Sequence, residues 1–306
     1  MNPMASILAA ADIGSNTAHL LVAATDGDIV MRIDNVNEWI PLGEIVARTG
    51  EIPKEQADQL VGAVREFKRV ATSKRADRIY VFATEAVRIA KNHTAVLKRI
   101  KTETGITVEV IPPTKEAEFS FIGVRLDTKE IEPDLMFEVG GGSAQVALVT
   151  SKEIIEETSL RLGTGRVIAE SGLTLPCPPE TKQRATDYIQ SRIGECELRS
   201  VKNPNVMASG GVARGLWRAL HPDSEKRLHI EELKYLIWAT ERLNLERIIE
   251  RFNVKPKRAG TLLPGAMVYH ALMNHFGATE MMISEFGVRE GAILLMAKNK
   301  IKGQAL

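Results

Sequence analysis

Cysteine is nearly absent: two residues, Cys177 and Cys196, in a chain of 306. That excludes a disulfide framework, and a zinc site would need more ligands at tighter spacing. No sign of charge prevails, since 40 Lys and Arg stand against 39 Asp and Glu for a net charge of +1. A bulk nucleic-acid or membrane-surface binder would carry an excess of Lys and Arg, so any polyanion site here must be a local concentration of positive charge. Long apolar runs are also missing, and no stretch approaches the roughly 18 residues needed to span a bilayer. The start, Met1 to Ala11, has no basic segment and does not read as a signal peptide, so a reduced cytoplasm is the expected location. Apolar residues make up 44% and charged residues 26%, proportions that exclude wholesale disorder. At roughly 150 residues per domain, the length suggests two domains or one large one.

The first part of the chain reads as alternating strands and helices. Ile7 to Ile13 is an apolar run suited to a buried strand and is broken by Gly14-Ser15-Asn16. His19 to Ala24 and Ile29 to Ile33 follow as strands joined at the Asp26-Gly27-Asp28 turn. A helix from about Pro53 to Ser73 places Ala57, Leu60, Val61, Val64, Phe67 and Val70 on one face. Arg78 to Thr84 is a strand, Glu85 to Ala90 and Thr94 to Glu103 are helices, and Ile106 to Ile111 is a strand. A further helix after Pro112-Pro113 carries Lys115 to Val124.

A second series opens with strands at Leu135 to Val139, Gln145 to Val149 and Glu153 to Ser159. Helices are expected at Val167 to Ser171, Pro179 to Ile193 and Gly211 to Leu220, with a strand at Asn205 to Ala208. The remainder reads as helical apart from a strand at Met281 to Ser284, and ends in a helix from Arg289.

An internal repeat is the most informative feature. Asp12-Ile13-Gly14-Ser15-Asn16-Thr17-Ala18-His19-Leu20 aligns without a gap on Glu138-Val139-Gly140-Gly141-Gly142-Ser143-Ala144-Gln145-Val146, at an offset of 138 − 12 = 126. A fainter echo relates Val81-Phe82-Ala83-Thr84 to Val206-Met207-Ala208-Ser209. Each copy of the main repeat is a strand ending in an acid, a small-residue turn with a hydroxyl, and a second strand. A duplicated unit of this kind predicts two similar α/β domains facing each other across a cleft. Turns of Gly, Ser and Thr expose consecutive backbone N–H groups and so form concavities for anionic oxygens. Two such turns could hold successive phosphates, with Asp12 and Glu138 placed for Mg²⁺ to bridge carboxylate and phosphate.

At this point the sequence resembles a known family. Asp12-Ile13-Gly14-Ser15-Asn16-Thr17, Ala83-Thr84-Glu85-Ala86-Val87-Arg88, Lys115-Glu116-Ala117, Glu138-Val139-Gly140-Gly141-Gly142-Ser143, Ser209-Gly210-Gly211 and Gly287-Val288-Arg289-Glu290-Gly291 occur in order along essentially the whole chain. Together they are similar to the motifs of the exopolyphosphatase/guanosine-pentaphosphate phosphohydrolase (Ppx/GppA) family. The resemblance implies two actin-like (ribonuclease H-like) α/β domains related by internal duplication: domain I at 1–124 plus a C-terminal helix at 286–306, and domain II at 125–285. It also implies Mg²⁺-dependent hydrolysis of a terminal phosphoanhydride in inorganic polyphosphate or guanosine pentaphosphate. No nucleic-acid or membrane partner is expected, and a homodimer is compatible with it.

By resemblance, Glu116 is the catalytic carboxylate that orients water. Gly14, Ser15, Asn16 and Thr17 form the first phosphate loop, Gly141, Gly142 and Ser143 the second, and Arg88 contacts phosphate oxygens. Asp12 and Glu138 are the metal candidates, and Gln145 stands where a carboxylate would position water or metal. Asn92 follows Arg88 at the family spacing as a capping or bracing residue, and Arg289 with Glu290 could pair to brace the last helix.

The chain departs from the family pattern in three places. Glu138 replaces an Asp, Ala144-Gln145 replaces Thr-Glu, and Lys115 replaces the first acid of Glu-Glu-Ala, which sets a cation next to Glu116 in sequence. These departures motivate an alternative from another class, a catalytically impaired sensor that binds polyphosphate or guanosine polyphosphates. A phosphotransferase of the same superfold fits the motifs less well.

Overall fold

Strand β1 (Ser6–Ile13) is buried on both faces, and its residues divide by parity. Ala9, Ala11 and Ile13 enter one apolar cluster, while Leu8 and Ala10 enter another on the opposite face of the sheet. Two-sided burial explains why the segment reads as a continuous apolar run rather than an alternating one. The computed structural model describes residues 5–127, 132–221 and 225–306, so residues 1–4 of the Met1 to Ala11 start lie outside the described residues. The chain divides into two units, Met1–Leu126 with Phe286–Leu306, and Asp127–Glu285.

In unit 1, β1 pairs antiparallel with β2 (Thr17–Thr25), which pairs antiparallel with β3 (Val30–Trp39). On its other side β1 pairs parallel with β4 (Arg78–Ala83), and β4 pairs parallel with β5 (Val108–Val110). Helices α1 (Leu42–Thr49), α2 (Lys54–Ser73), α3 (Glu85–Ile89), α4 (His93–Thr104) and α5 (Pro113–Val124) connect these strands. The turn between β2 and β3 is built as expected, with Asp26 Oδ1 accepting from the N–H groups of Asp28 and Ile29, both at 3.0 Å.

Unit 2 repeats the plan. Strands β6 (Leu135–Val139), β7 (Ala144–Val149) and β8 (Ile154–Leu160) form the antiparallel meander. Strand β9 (Val206–Ser209) lies parallel to β6, with β11 (Glu280–Ile283) parallel to β9 and β10 (Arg227–His229) antiparallel at the edge. Its helices are α6 (Thr164–Ser171), α7 (Pro179–Ile193), α8 (Gly210–Leu220), α9 (Ile230–Thr240), α10 (Leu245–Phe252) and α11 (Pro256–Phe276). Both meanders carry a register irregularity at the matching place, between Val22 and Ala23 and between Leu148 and Val149, separated by 148 − 22 = 126 residues. The turn repeat has the same offset, so the duplication extends beyond the turns themselves.

The last helix, α12 (Val288–Ala297), belongs to unit 1 and crosses α5 at glycines. A Cβ on Gly291 would lie 1.8 Å from the Phe119 carbonyl oxygen, and one on Gly123 would lie 2.0 Å from that of Gly287. Two backbones this close leave no room for a side chain at Gly123 or Gly291, so packing explains the last glycine of the Gly287–Gly291 motif, whereas a Cβ on Gly287 would meet nothing within 4 Å.

Several elements differ from the sequence expectation. Strand β3 runs to Trp39 instead of ending at Ile33, because its second half is an edge whose polar Asp34, Asn35, Asn37 and Glu38 carry no apolar alternation. Helix α1 was not expected, being short and opened by Pro41. Strands β10 and β12 (Gln304–Ala305) are too short to show a period. No helix of the described residues is long and apolar enough to cross a membrane.

Candidate active site

The two glycine-rich turns are held by their carbonyl groups. In the first, the carbonyls of Ser15 and Asn16 accept from the N–H groups of Gly43 (2.6 Å) and Ile40 (3.0 Å), and that of Thr17 accepts from Gly14 (2.9 Å). In the second, Gly140, Gly141 and Gly142 accept from Thr164 (3.0 Å), Arg166 (3.1 Å) and Gly163 (3.1 Å). A trans peptide points its C=O and the following N–H in opposite directions. Carbonyls anchored into the protein therefore turn the amides of Asn16 and Thr17, and of Gly141, Gly142 and Ser143, the other way. That is the arrangement an anion requires.

The anchors are themselves duplicated. Helices α1 and α6 are eight residues each, begin against their loops, and end on Gly50 and Gly172 in the left-handed conformation. Each approach relies on a glycine: a Cβ on Gly43 would be 2.8 Å from the Ser15 Cβ, and one on Gly163 would be 2.3 Å from the Gly141 carbonyl carbon. Residues 40–43 and 163–166 thus belong to the candidate site although they lie outside the turns. The shared Leu-Gly at Leu42-Gly43 and Leu162-Gly163 was the signal available in the sequence.

Unit 1 brings Glu116, Arg88, Glu85 and Asp12 toward its loop. Glu116 stands in the first turn of α5, with side-chain exposure of 15%, and Arg88 Nη1 lies 3.8 Å from its Oε2. The same Arg88 nitrogen donates to the Ile111 carbonyl at 2.8 Å, which fixes the guanidinium at the start of α5. One turn earlier on α3, the buried Glu85 accepts a long hydrogen bond of 3.4 Å from the Ser15 hydroxyl. Through α3, this contact links the first loop to the Arg88–Glu116 pair. Glu85 was not selected from the sequence, although it sits inside the Ala83–Arg88 motif. Asp12 lies beside the loop, its carboxylate oxygens 3.8 and 3.9 Å from where a Cβ on Gly14 would be.

Two sequence expectations are corrected here. Lys115 does not place its charge beside Glu116. Its Nζ lies 2.6 Å from Glu109 Oε1 and over the rings of Tyr80 and Phe119, because successive helix residues diverge in direction. Tyr80 donates to the same Glu109 at 2.9 Å, and burial, reinforced by that carboxylate, pushes its phenol well above the ordinary range. Nor do Arg289 and Glu290 pair with each other. Glu290 is buried against Arg32 at 2.8 Å and accepts from the Gly287 N–H, whereas Arg289 Nε has no hydrogen-bond partner among the described residues. Asn92 does brace, through the backbone N–H and C=O of Ile52.

In unit 2 the polar groups near the loop are tied to one another. Glu138 accepts from the Ser209 hydroxyl at 2.9 Å, and the two residues are direct partners across β6 and β9. Buried Gln145 donates its amide to the Ser143 hydroxyl at 3.2 Å. Behind them the fully buried Tyr269 hydroxyl accepts from Val139 N–H (3.2 Å) and donates to the Ser209 carbonyl (3.3 Å). Burial pushes this phenol upward as well. Arg258 donates to the Gly211 carbonyl at 2.9 Å, so it is fastened to the start of α8 rather than left as surface charge.

The family assignment follows from comparison. The Ppx/GppA phosphatase family profile matches residues 21–300. The chain belongs to the Ppx/GppA phosphatase family. Exopolyphosphatase 1 of Mycobacterium leprae is 29% identical over 310 residues, covering 96% of this chain and 91% of its own length. The crystal structure of an exopolyphosphatase from Cytophaga hutchinsonii superposes with a TM-score of 0.85 at 20% identity, covering 98% of this chain and 100% of that one. The Aquifex aeolicus Ppx/GppA family member gives 0.80 at 22% identity, with 98% and 100% covered. The fold is thus the actin-like α/β fold of the Ppx/GppA family, present here as two duplicated units.

Among the described residues, no group of three or more His, Cys, Asp or Glu side chains is arranged to hold a metal ion. The carboxylates beside the loops are Asp12 and the Ser15-bonded Glu85 in unit 1 and Glu138 in unit 2. That fits a Mg²⁺ ion bound by one or two carboxylates and otherwise by phosphate oxygens and water, not one enclosed by protein.

Proposed function

We propose that this Ppx/GppA protein hydrolyses the terminal phosphoanhydride bond of inorganic polyphosphate or guanosine pentaphosphate. The observation that carries the reading is in unit 1, where Glu116 opens α5 beside Arg88 and α3 links that pair to a loop whose carbonyls are turned inward. Amides of the two loops bind phosphate oxygens, and the fixed Arg88 guanidinium adds a forked positive group for the terminal phosphate.

Glu116 orients a water and takes its proton as the water oxygen bonds to the terminal phosphorus. The bridging P–O bond breaks, and its electron pair leaves on the shortened chain. General-base assistance of this kind contributes about 10²–10⁴-fold. Mg²⁺, held by Asp12 or Glu138, would supply charge neutralisation on the phosphates. The reaction is expected in the cytoplasm.

The test is phosphate release from polyphosphate and guanosine pentaphosphate, with and without Mg²⁺, and with binding of each measured in parallel. Release that depends on Mg²⁺ supports the reading. Tight binding without release would instead support the sensor.

A further inference from the structure

Asn92 occupies the N-cap position of α4, and asparagine is among the best capping residues, yet its side chain makes no capping bond. Both of its polar atoms go elsewhere. Asn92 Oδ1 accepts from the Ile52 N–H at 2.9 Å, and its Nδ2 donates to the Ile52 carbonyl at 2.8 Å. The amide therefore takes up both backbone polar groups of one residue 40 positions away, in the manner of a neighbouring strand. Next to it, the Lys91 N–H donates to the Gly50 carbonyl at 2.9 Å.

These three bonds join two segments that meet the site separately. Residues 50–52 directly follow α1, whose first turn fixes the carbonyl of Ser15. Residues 91–92 directly follow α3, which carries Glu85 and Arg88. Going around, loop 1 leads to α1, α1 to Ile52, Ile52 to Asn92, and Asn92 through α3 to Arg88 and Glu116. Glu85 closes the ring on Ser15. Helix α1 has only eight residues and α3 only five, so neither is long enough to hold its own position.

We propose that Asn92 is a positioning residue for phosphoryl transfer: it sets the spacing between the first phosphate loop and the Arg88–Glu116 pair while touching neither. The inference rests on the functional reading above. An error of about 1 Å in such spacing can cost on the order of a hundredfold in rate.

The experiment is a double-mutant cycle on Asn92→Ala and Arg88→Ala. Phosphate release is measured on whichever of polyphosphate and guanosine pentaphosphate the unmodified chain hydrolyses. Asn92→Ala is expected to lower kcat about 10- to 100-fold with KM changed less than about threefold. In the double variant the two losses should fall well short of multiplying, because Arg88 is already misplaced. Asn92→Asp keeps the acceptor for Ile52 N–H and loses the donor, so it should retain an intermediate kcat and serves if the alanine variant does not fold.

Fully multiplicative losses, or normal kcat in both Asn92 variants while Arg88→Ala is impaired, would overturn the positioning role alone. Normal turnover in Arg88→Ala, or no release from either substrate by the unmodified chain, would overturn the site reading and this inference with it.

Discussion

The two loops are built alike and equipped differently. Each has carbonyls anchored by the start of a short helix, a glycine at the closest approach, and a left-handed glycine at the helix end. Around the first loop stand Asp12, Glu85, Arg88 and Glu116. Around the second, the position matching His19 holds the neutral Gln145, Glu138 is bonded to Ser209, and Tyr269 ties β6 to β9 from behind. The backbone frame of the loop is thus duplicated while the side chains beside it diverge: Glu85, Arg88 and Glu116 stand by the first loop, whereas Glu138 and Gln145 bond to neighbouring hydroxyls by the second.

This contrast can be broken at several points. The largest effect is expected at the α5–α12 crossing of unit 1. Gly291→Ala or Gly123→Ala should cost at least about 3 kcal/mol, because the obstructing atoms are backbone, and activity should fall with the displaced Glu116. Urea denaturation with parallel phosphate-release assays checks this. Next come the two loop glycines. Gly163→Ala meets the Gly141 and Gly142 backbone at 2.3 Å and should cost about 2–3 kcal/mol, whereas Gly43→Ala meets the Ser15 Cβ at 2.8 Å, a lesser overlap that no rotamer change relieves, and should cost about 1–2 kcal/mol. Equal losses would remove the distinction between a tighter approach at the second loop and a looser one at the first.

A smaller effect is expected from returning unit 2 toward the family pattern. Glu138→Asp shortens the side chain away from Ser209, and Gln145→Glu restores a charge; together they should raise turnover or strengthen Mg²⁺ dependence about tenfold. No change in either quantity would show that unit 2 serves only as a grip.

The smallest effect is one of pH. The hydrogen bond from Lys226 holds Glu285 below the ordinary glutamate range, with Arg218 adding to it. A carboxyl depressed in the folded state stabilises above its unfolded pKa, and that contribution disappears as pH falls through the folded value. Glu285→Gln should therefore cost less than about 1 kcal/mol at pH 7 and nothing in strong acid, read from thermal unfolding at the two pH values.

What could be read in the sequence follows the same division. Strand-turn-strand repeats carry a dense local signal, so β1, β2, β6, β7 and both turns were legible. Helix α1 was not: eight residues opened by Pro41 show little periodicity, and its purpose appears only through the bond from Gly43 to the Ser15 carbonyl. Lys115 was misread because adjacency along a helix is not adjacency in space. Glu290 was misread because its partner, Arg32, lies 258 residues away on an edge strand. Glu85, Ser209 and Tyr269 are ordinary residue types whose roles come from burial and from partners on other elements.

The most direct test is Glu116→Gln, with substrate binding and phosphate release measured on the same preparation. Binding should stay within about threefold of the unmodified chain while release falls at least about a hundredfold, the contribution expected of a general base. Release that survives the substitution undiminished would contradict the assignment of the chemistry to unit 1.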